Sequence, residues 1–345
     1  MACRPRGAQG KTRAMKLLSA LLLIPLAAVA ADRPIPPFEM SIERLDPAFD
    51  KLVAPGTKVE KLAEGFTWSE GPVWINESVV FSDVPTNIAY RWKEGMTKAE
   101  EFLNPSGLTT PTPGFREQGS NGLGRDAQGR LILCQHGDRR IARYENGKFT
   151  TLADRFEGKR FNSPNDLAIR KNGDIYFTDP PYGLDKLNDS PLKEIPFNGV
   201  YRLSDGKVTL LTKDLTFPNG IGFSPDEKTL YVAVSDGRAP RIMAYGVKED
   251  GSIGEGRVFF DAKPLASQER KGGCDGMKVD KEGNVWATGP GGVLIISPTA
   301  KHLGSILTNQ PTGNCCWGAN DGSTLYITSN MFLVRVKTLT KGAGW

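Results

Sequence analysis

Polar residues recur at the start of short apolar runs along this chain of 345 residues. Each is followed, 10 or 11 residues later, by a second run rich in aromatic and β-branched residues. Asn and Asp are depleted in strands, so their repetition at one register indicates a function. Carboxylate and amide oxygens are hard ligands that suit calcium, magnesium or manganese. The recurring residues are two carboxylates and four amides: Glu70, Asn121, Asn165, Asn219, Asp275 and Asn314.

The residue types in this series discriminate between metals and leave one structural alternative. No His or Cys occurs among the six, which disfavours zinc. In the alternative, Asn and Asp only cap strand ends and order water. Glu70 and Asp275 argue against that alternative, because two converging carboxylates repel each other unless a cation lies between them.

Three residues outside this series are candidates for substrate contacts. His136 follows one of the strand-like runs, and its imidazole titrates near neutral pH. Asp179 and Tyr182 flank two prolines, which fix the conformation of a loop. We predict that all three line a substrate pocket. The alternatives are an ordinary histidine at the rim and a Pro-Pro segment that only shapes a turn.

The polar series belongs to six copies of one strand–turn–strand pattern. The copies start 39 to 56 residues apart, and Asn, Asp and Gly fill their turns as tight hairpins require. Units of about 40–50 residues with about four strands are typical of propeller blades. We predict an all-β, six-bladed β-propeller that forms a single domain at 57–345, with the strand near 58–62 completing the last blade. Innermost strands surround the axis of a propeller, so the six polar residues should converge there.

The first 30 residues are typical of a secretory signal peptide. They contain five basic residues and no acid, an apolar run at 17–28, and small residues before Ala31. That run is too short for a membrane span, which needs about 20 residues. We predict a signal peptide at 1–30, an N-terminal extension at 31–56, and an exported protein, periplasmic or secreted. An uncleaved anchor and a start at Met15 are the alternatives.

Charge and cysteine content limit the classes of partner. Without the leader the chain has 39 basic and 39 acidic residues, so no nucleic-acid partner is expected. No later segment is long and apolar enough for a membrane helix, so no membrane partner is expected after cleavage. Export permits disulfides, but we expect buried free thiols at the four remaining cysteines: Cys134, Cys274, Cys315 and Cys316.

Five short runs, in this order, resemble the gluconolactonase and senescence-marker-protein (regucalcin) family. They are Ser-Glu-Gly-Pro-Val-Trp at 69–74, Pro-Asn-Asp-Leu at 164–167, Thr-Asp-Pro-Pro-Tyr-Gly at 178–183, Pro-Asn-Gly at 218–220 and Cys-Asp-Gly-Met at 274–277. The resemblance covers about 60–336 and implies a metal-dependent lactonase on a six-bladed propeller. It implies that Glu70, Asn219 and Asp275 are metal ligands and that Asn165 is a ligand or a substrate contact. It also implies that Asp275 is the proton acceptor and donor.

Two further positions bear on this resemblance. The His-Gly pair at 136–137 is similar to a run in bacterial lactonases of the family, which favours a functional His136. Several animal members carry Arg two residues before the position of Asn165, where this chain has Ser163. The sugar-lactone specificity of the animal members is therefore not implied.

The combined prediction is a hydrolase that opens a lactone or a related ester, with one divalent cation acting as a Lewis acid. Calcium is the favoured ion, and magnesium, manganese and zinc are the alternatives. Asp275 moves the proton, while Asn121, Asn165 and Asn219 hold the ion and the substrate. The chain has no Gly-x-Ser-x-Gly run, which argues against a serine nucleophile.

Two other functions remain open at this point. An exported propeller could bind a ligand or a protein without catalysis, because fold does not imply function. A quinone-dependent sugar dehydrogenase would need a histidine near arginines, and His136 with Arg139 and Arg140 is the candidate. The paired carboxylates favour the hydrolase, since a pure binder has no need of them. The predicted partner is a small-molecule lactone, and no oligomeric state is predicted.

Overall fold

The computed structural model describes residue 1 and residues 34–344. Apart from residue 1, the predicted signal peptide at 1–30 lies outside the described residues, as do the predicted cleavage site at Ala31 and the alternative start at Met15. Within 34–344, no helix has the length and apolar character needed to cross a membrane.

Six antiparallel sheets make up most of the described chain. The first blade contains β3 (Ser69–Ile75), β4 (Ser78–Asp83), β5 (Ile88–Trp92) and β6 (Glu100–Leu103). The second contains β7 (Ser120–Arg125), β8 (Leu131–Gln135), β9 (Arg140–Glu145) and β10 (Lys148–Ala153). The third contains β13 (Leu167–Ile169), β14 (Ile175–Asp179), β15 (Gly199–Ser204) and β16 (Lys207–Thr212).

The remaining three blades follow the same order from the axis outwards. The fourth contains β17 (Pro218–Phe223), β18 (Thr229–Val234), β19 (Arg241–Val247) and β20 (Ile253–Asp261). The fifth contains β21 (Met277–Val279), β22 (Val285–Gly289), β23 (Gly292–Ile296) and β24 (His302–Leu307). The sixth contains β25 (Asn314–Gly318), β26 (Thr324–Ser329) and β27 (Phe332–Lys337), and takes its outermost strand from the start of the chain: β2 (Glu60–Glu64).

The ring is closed by this exchange of strands. In the sixth blade, β2 pairs antiparallel with β27, so that Glu60 lies opposite Arg335. The innermost strands contact one another in cyclic order, from β3 through β7, β13, β17, β21 and β25 back to β3. The prediction of a six-bladed propeller is therefore confirmed, including the strand near 58–62 that completes the last blade.

The segment before the first blade also joins the fold. A short strand, β1 (Ser41–Arg44), pairs antiparallel with β24 and becomes the fifth strand of the fifth blade. A two-stranded hairpin of β11 (Arg155–Phe156) and β12 (Lys159–Arg160) lies between the second and third blades in sequence. The remaining regular elements are three 3-10 helices: Pro47–Lys51, Leu187–Asp189 and Lys263–Leu265.

Apolar side chains pack between neighbouring blades and fix their spacing. Trp286 of the fifth blade meets Trp317 of the sixth edge-on, with ring centroids 5.2 Å apart. Trp74 of the first blade stacks on Tyr326 of the sixth at 5.5 Å. Such aromatic pairs add about 0.5–1.5 kcal/mol to the area that they bury. The four cysteines predicted to be free are buried free thiols: Cys134, Cys274, Cys315 and Cys316.

Candidate active site

A pocket of about 380 Å³ lies on the propeller axis, at the end where the inner strands begin. That volume falls in the range typical of small-molecule sites. Its wall combines carboxylates and amides with one cation and two aromatic rings. The lining residues are Trp68, Glu70, Arg116, Glu117, Asn121, Asn165, Tyr182, Asn219, Ser235, Gly273, Cys274 and Asp275.

A second recess lies at the opposite end of the axis, and its chemistry is different. It is lined mainly by apolar side chains, such as Trp74, Ile221 and Trp317, and it contains no carboxylate. The paired carboxylates of the first pocket make it the candidate site for catalysis.

Five of the six recurring polar residues reach this pocket, together with Tyr182. The inner strands bring them together, because the residue after the head packs against the next inner strand. A Cβ at Gly71 would lie 2.0 Å from the carbonyl oxygen of Asn121, and a Cβ at Gly220 would lie 2.1 Å from that of Asp275. Only glycine permits this approach of two backbones. The Glu-Gly and Asn-Gly pairs of the sequence are therefore structural as well as chemical.

The sixth residue of the series, Asn314, does not line the pocket, and its predicted place in the ring is wrong. The amide of Gly122 donates to the carbonyl oxygen of Asn165 at 2.7 Å, and in the same way the amide of Gly276 donates to Gly313 at 2.7 Å. Gly313 thus holds the sixth position. A Cβ there would lie 2.5 Å from Oε1 of Glu70, so the missing side chain makes room for that carboxylate.

Asn314 instead contributes to the floor beneath the pocket. Its Nδ2 donates to Oδ2 of Asp166 at 3.1 Å, and its Oδ1 accepts from Nζ of Lys278 at 3.3 Å. Asp166 is buried, and its charge acts on both carboxylates of the pocket above. The Asn314 amide therefore links a buried carboxylate to a cation.

The two axial carboxylates are held where neither ionises easily. Burial raises the pKa of Glu70 to about 8, although its Oε2 accepts the amide hydrogen of Gly71 at 2.9 Å. Burial also raises the pKa of Asp275 well above its ordinary value, and the charge of Glu70 adds to that shift. Two acids that disfavour each other's ionised form in this way form a site that a cation would stabilise.

The amides complete an oxygen-rich donor set. Oδ1 of Asn165 is buried and has no hydrogen-bond partner, which is costly unless a ligand satisfies it. The amide nitrogen of Asn219 donates to Oγ of Ser235 at 3.0 Å, which fixes its orientation. No group of three His, Cys, Asp or Glu side chains suited to a metal occurs within 34–344. The side chains present therefore fit a cation bound through mixed carboxylate and amide oxygens, as calcium and magnesium are.

His136 and Asp179, predicted as substrate contacts, lie outside the lining. His136 is completely buried behind the wall, with Nδ1 3.8 Å from Oε2 of Glu117. Burial lowers the pKa of His136 to about 3, so the ring is neutral and the pair is not an ion pair. Asp179 accepts the amide hydrogens of Asn162 and Ser163, both at 2.8 Å, and so anchors the loop that carries Tyr182.

The arginines that the sequence placed beside His136 are also engaged elsewhere. Arg139 donates through Nε to the carbonyl oxygen of Phe161 at 2.6 Å, and Arg140 pairs with Asp138 at 2.8 Å. Both line a separate recess at the side of the second blade. The histidine and arginines that a quinone-dependent dehydrogenase would need are therefore not assembled in the axial pocket.

Two charged pocket residues were missed from the sequence because a loop supplies them. Arg116 and Glu117 lie in the segment 104–119, between the first and second blades, and form an ion pair at 3.1 Å. The backbone amide of Arg116 donates to Gly183 at 3.0 Å, and Phe115 bridges to Leu184. This segment carries no repeat and no motif, so its only sequence signal is the length of the interval between two blades.

The fold and the pocket together define a six-bladed propeller enzyme scaffold with an acid-and-amide site on its axis. The chain belongs to the family described as SMP-30/Gluconolactonase/LRE-like region, whose family model matches residues 68–331. It is 38% identical to a gluconolactonase of Zymomonas mobilis over 96% of this chain and 99% of that protein.

Solved structures show the same architecture. A gluconolactonase of Xanthomonas campestris superposes with a TM-score of 0.74 at 30% identity, over 89% of this chain and 99% of that one. A regucalcin of Agrobacterium tumefaciens, described as a calcium-binding protein, superposes with a TM-score of 0.64 at 20% identity, over 83% of this chain and 95% of that one. The second likeness extends to the fold.

Proposed function

We propose that this protein is a hydrolase that opens a lactone ring with the help of a divalent cation. The observation that carries the proposal is the pairing of Glu70 and Asp275 in one axial pocket, beside the unpartnered Oδ1 of Asn165. Membership of the gluconolactonase family supports it, as does the near full-length similarity to a bacterial gluconolactonase.

Glu70, Asn165, Asn219 and Asp275 are the proposed ligands of the cation. Calcium is the favoured ion because every donor is a carboxylate or amide oxygen, and magnesium, manganese and zinc are the alternatives. When bound, such an ion supplies a Lewis acid that stabilises negative charge on the lactone carbonyl oxygen. The calcium-binding relative of the same fold agrees with this choice.

The side chains of the pocket supply binding and proton transfer. The amide of Asn121, the ring of Tyr182 and the indole of Trp68 surround the space that a lactone would fill. Asp275 accepts a proton from the water that attacks the carbonyl carbon. The C–O bond to the ring oxygen then breaks, and that oxygen needs a proton; in the simplest scheme Asp275 returns the one that it took.

A lactone panel assayed with the purified protein and calcium tests the proposal. We expect acid release from glucono-δ-lactone and from an unsubstituted δ-lactone, after subtraction of spontaneous opening. The surface variant Glu249→Gln should match the wild type, because Glu249 is exposed and remote from the pocket. A wild-type protein that binds lactones and opens none of them would support the non-catalytic propeller instead.

We also propose that the protein acts outside the cytoplasm. The basic n-region, the apolar run at 17–28 and the small residues before Ala31 support export.

A further inference from the structure

Glu117 is a carboxyl of the pocket that the simplest scheme leaves without a task. It lines the cavity, and 16% of its side chain is exposed. It precedes the inner strand of the second blade, whereas Asp275 precedes that of the fifth. In a closed ring of six blades the second lies opposite the fifth, so the two carboxyls approach a bound lactone from opposite sides.

The backbone that carries Glu117 is fixed to a neighbouring loop. The amides of Arg116 and Glu117 both point to the carbonyl oxygen of Gly183, at 3.0 and 3.4 Å. The amide of Asp185 donates back to Gly114 at 3.0 Å. These bonds tie the segment to the loop of Tyr182, on the far side of which Asp179 is anchored. Glu117 is therefore held at a defined place in the wall.

The groups that face Glu117 come from several elements. Arg116 on its own segment contacts Oε1, and the neutral His136, which follows β8, lies 3.8 Å from Oε2. Neither ring nitrogen of His136 has a hydrogen-bond partner. Glu70 and Asp275 face it across the pocket and are close enough for its charge to act on them.

This environment suits a carboxyl that carries a proton near neutral pH. Burial raises the pKa of Glu117 to about 7, against the opposing charge of Arg116. A group with such a pKa is effective as a general acid at physiological pH.

We propose that Glu117 is the acid that protonates the departing ring oxygen, with His136 and Arg116 as its positioning residues. The assignment rests on the proposed lactone hydrolysis and divides its two proton transfers between two carboxyls. Water adds to the carbonyl carbon as Asp275 takes its proton. When the ring C–O bond breaks, its electron pair goes to the ring oxygen, which takes the proton of Glu117. Asp275 then loses its proton to solvent and Glu117 regains one, leaving one lactone and one water converted to one hydroxy acid.

A change of leaving group separates this role from a binding role. An alkoxide is a strong base and needs the proton, whereas a thiolate leaves without it because a thiol has a pKa of about 8.5. The probe is therefore glucono-δ-lactone compared with its analogue in which sulfur replaces the ring oxygen. For Glu117→Gln we expect turnover of the lactone to fall about 10²-fold or more, and turnover of the thiolactone to change only a few fold.

The pH profile gives a second readout on the lactone alone. The wild-type rate should fall above pH about 7, where Glu117 loses its proton, and Glu117→Gln should lack that fall. Glu117→Asp keeps a carboxyl and should keep it. Melting temperature and calcium binding of each variant, with Glu249→Gln as the matched surface control, show that folding is intact. Equal losses on lactone and thiolactone, or an unchanged alkaline fall in Glu117→Gln, would overturn the assignment. A wild-type protein that opens no lactone would instead overturn the proposed function.

Discussion

Glu70 and Asp275 are the residues on which the proposed chemistry depends, and their burial explains why they are paired. Each has a raised pKa, so in the absence of a cation the pocket resists carrying both negative charges. The buried Asp166 below them strengthens the effect. A bound cation would reverse it and leave both carboxylates ionised.

Asp275→Asn tests the proton-accepting role directly. The variant keeps the size and one carbonyl oxygen but loses the charge and the ability to accept a proton. We expect turnover at saturating calcium to fall by about 10²–10⁴-fold, the usual contribution of a positioned acid or base. Added metal should not rescue it. Asn121→Ala, in the same ring, should lose less and mainly raise KM, because Asn121 is a substrate contact. Near-wild-type turnover of Asp275→Asn would contradict the assignment.

The stability of the metal-free protein should fall as pH rises. Glu70 and Glu117 have folded-state pKa values of about 8 and about 7, above the ordinary value of 4.5. They hold protons in the folded state that the unfolded state has released, so their stabilisation is present at low pH and is lost as pH rises through 7 and 8. The neutral His136 acts in the other direction only below pH 6.5.

Thermal denaturation of chelated protein between pH 6.5 and 9 measures this effect. The melting temperature should decline across that range, less steeply in Glu70→Gln and less steeply again with calcium bound. A melting temperature that rises with pH in the chelated wild type would be incompatible with buried, protonated acids in the pocket.

The chemical identity of the site residues was predictable to the extent that they repeat. Asn121, Asn165, Asn219 and Asp275 share a register with Glu70, and all reach the pocket. Arg116 and Glu117 come from a loop whose course depends on its bonds to Gly183, and no local pattern encodes such contacts. His136 looked like a substrate contact because its type suits catalysis, but the structure buries it behind Glu117.

At the scale of elements, the inner strands and the glycines between them set the geometry of the ring. The repeated strand pairs predicted the blades because hairpin turns and β-branched runs are local signals. The sixth blade departs from the register by one residue, and its glycine leaves the space that Glu70 occupies. The strand Ser41–Arg44 was not predicted as a strand, since four residues without a repeat carry little signal and their pairing with β24 is tertiary.

Gly220→Ala should destabilise the ring. Its Cβ would lie 2.1 Å from the backbone oxygen of Asp275, and the inner strands must separate to admit it. We expect a loss of about 1–3 kcal/mol, as for other overpacked sites. For a domain of this size that lowers the melting temperature by roughly 2–4 °C per kcal/mol, and calcium affinity should fall as well.

Gly246→Ala is the matched control, because nothing lies within 4 Å of its Cβ position and it lies in a strand away from the axis. Equal melting temperatures for the two variants would show that the close approach of the inner strands is not required.

At the scale of the whole molecule, the chain is a closed ring joined to an N-terminal leader of different composition. The ring ends by pairing Glu60–Glu64 with Phe332–Lys337, so both ends of the repeated region are fixed in one blade. The basic residues of the leader account for the net positive charge, and the rest of the chain is neutral. The two parts are therefore expected to have separate tasks, export and catalysis.

Export predicts a mature N-terminus at or near Ala31. A bacterial host should remove the leader, because the small residues before Ala31 match a signal-peptidase site. N-terminal sequencing of protein recovered from the periplasm measures this. Material that still begins at Met1 or Met15 would remove the basis for an extracytoplasmic function.

Dependence of lactone opening on a bound cation is the central claim, and chelation with reconstitution tests it most directly. The protein is stripped with a chelator, its metal content is measured, and the opening of glucono-δ-lactone is followed as calcium is added back. We predict that activity disappears with the metal and returns as one ion binds per chain, with magnesium and manganese as partial substitutes. Full activity in excess chelator, with no metal bound to the protein, would contradict the account.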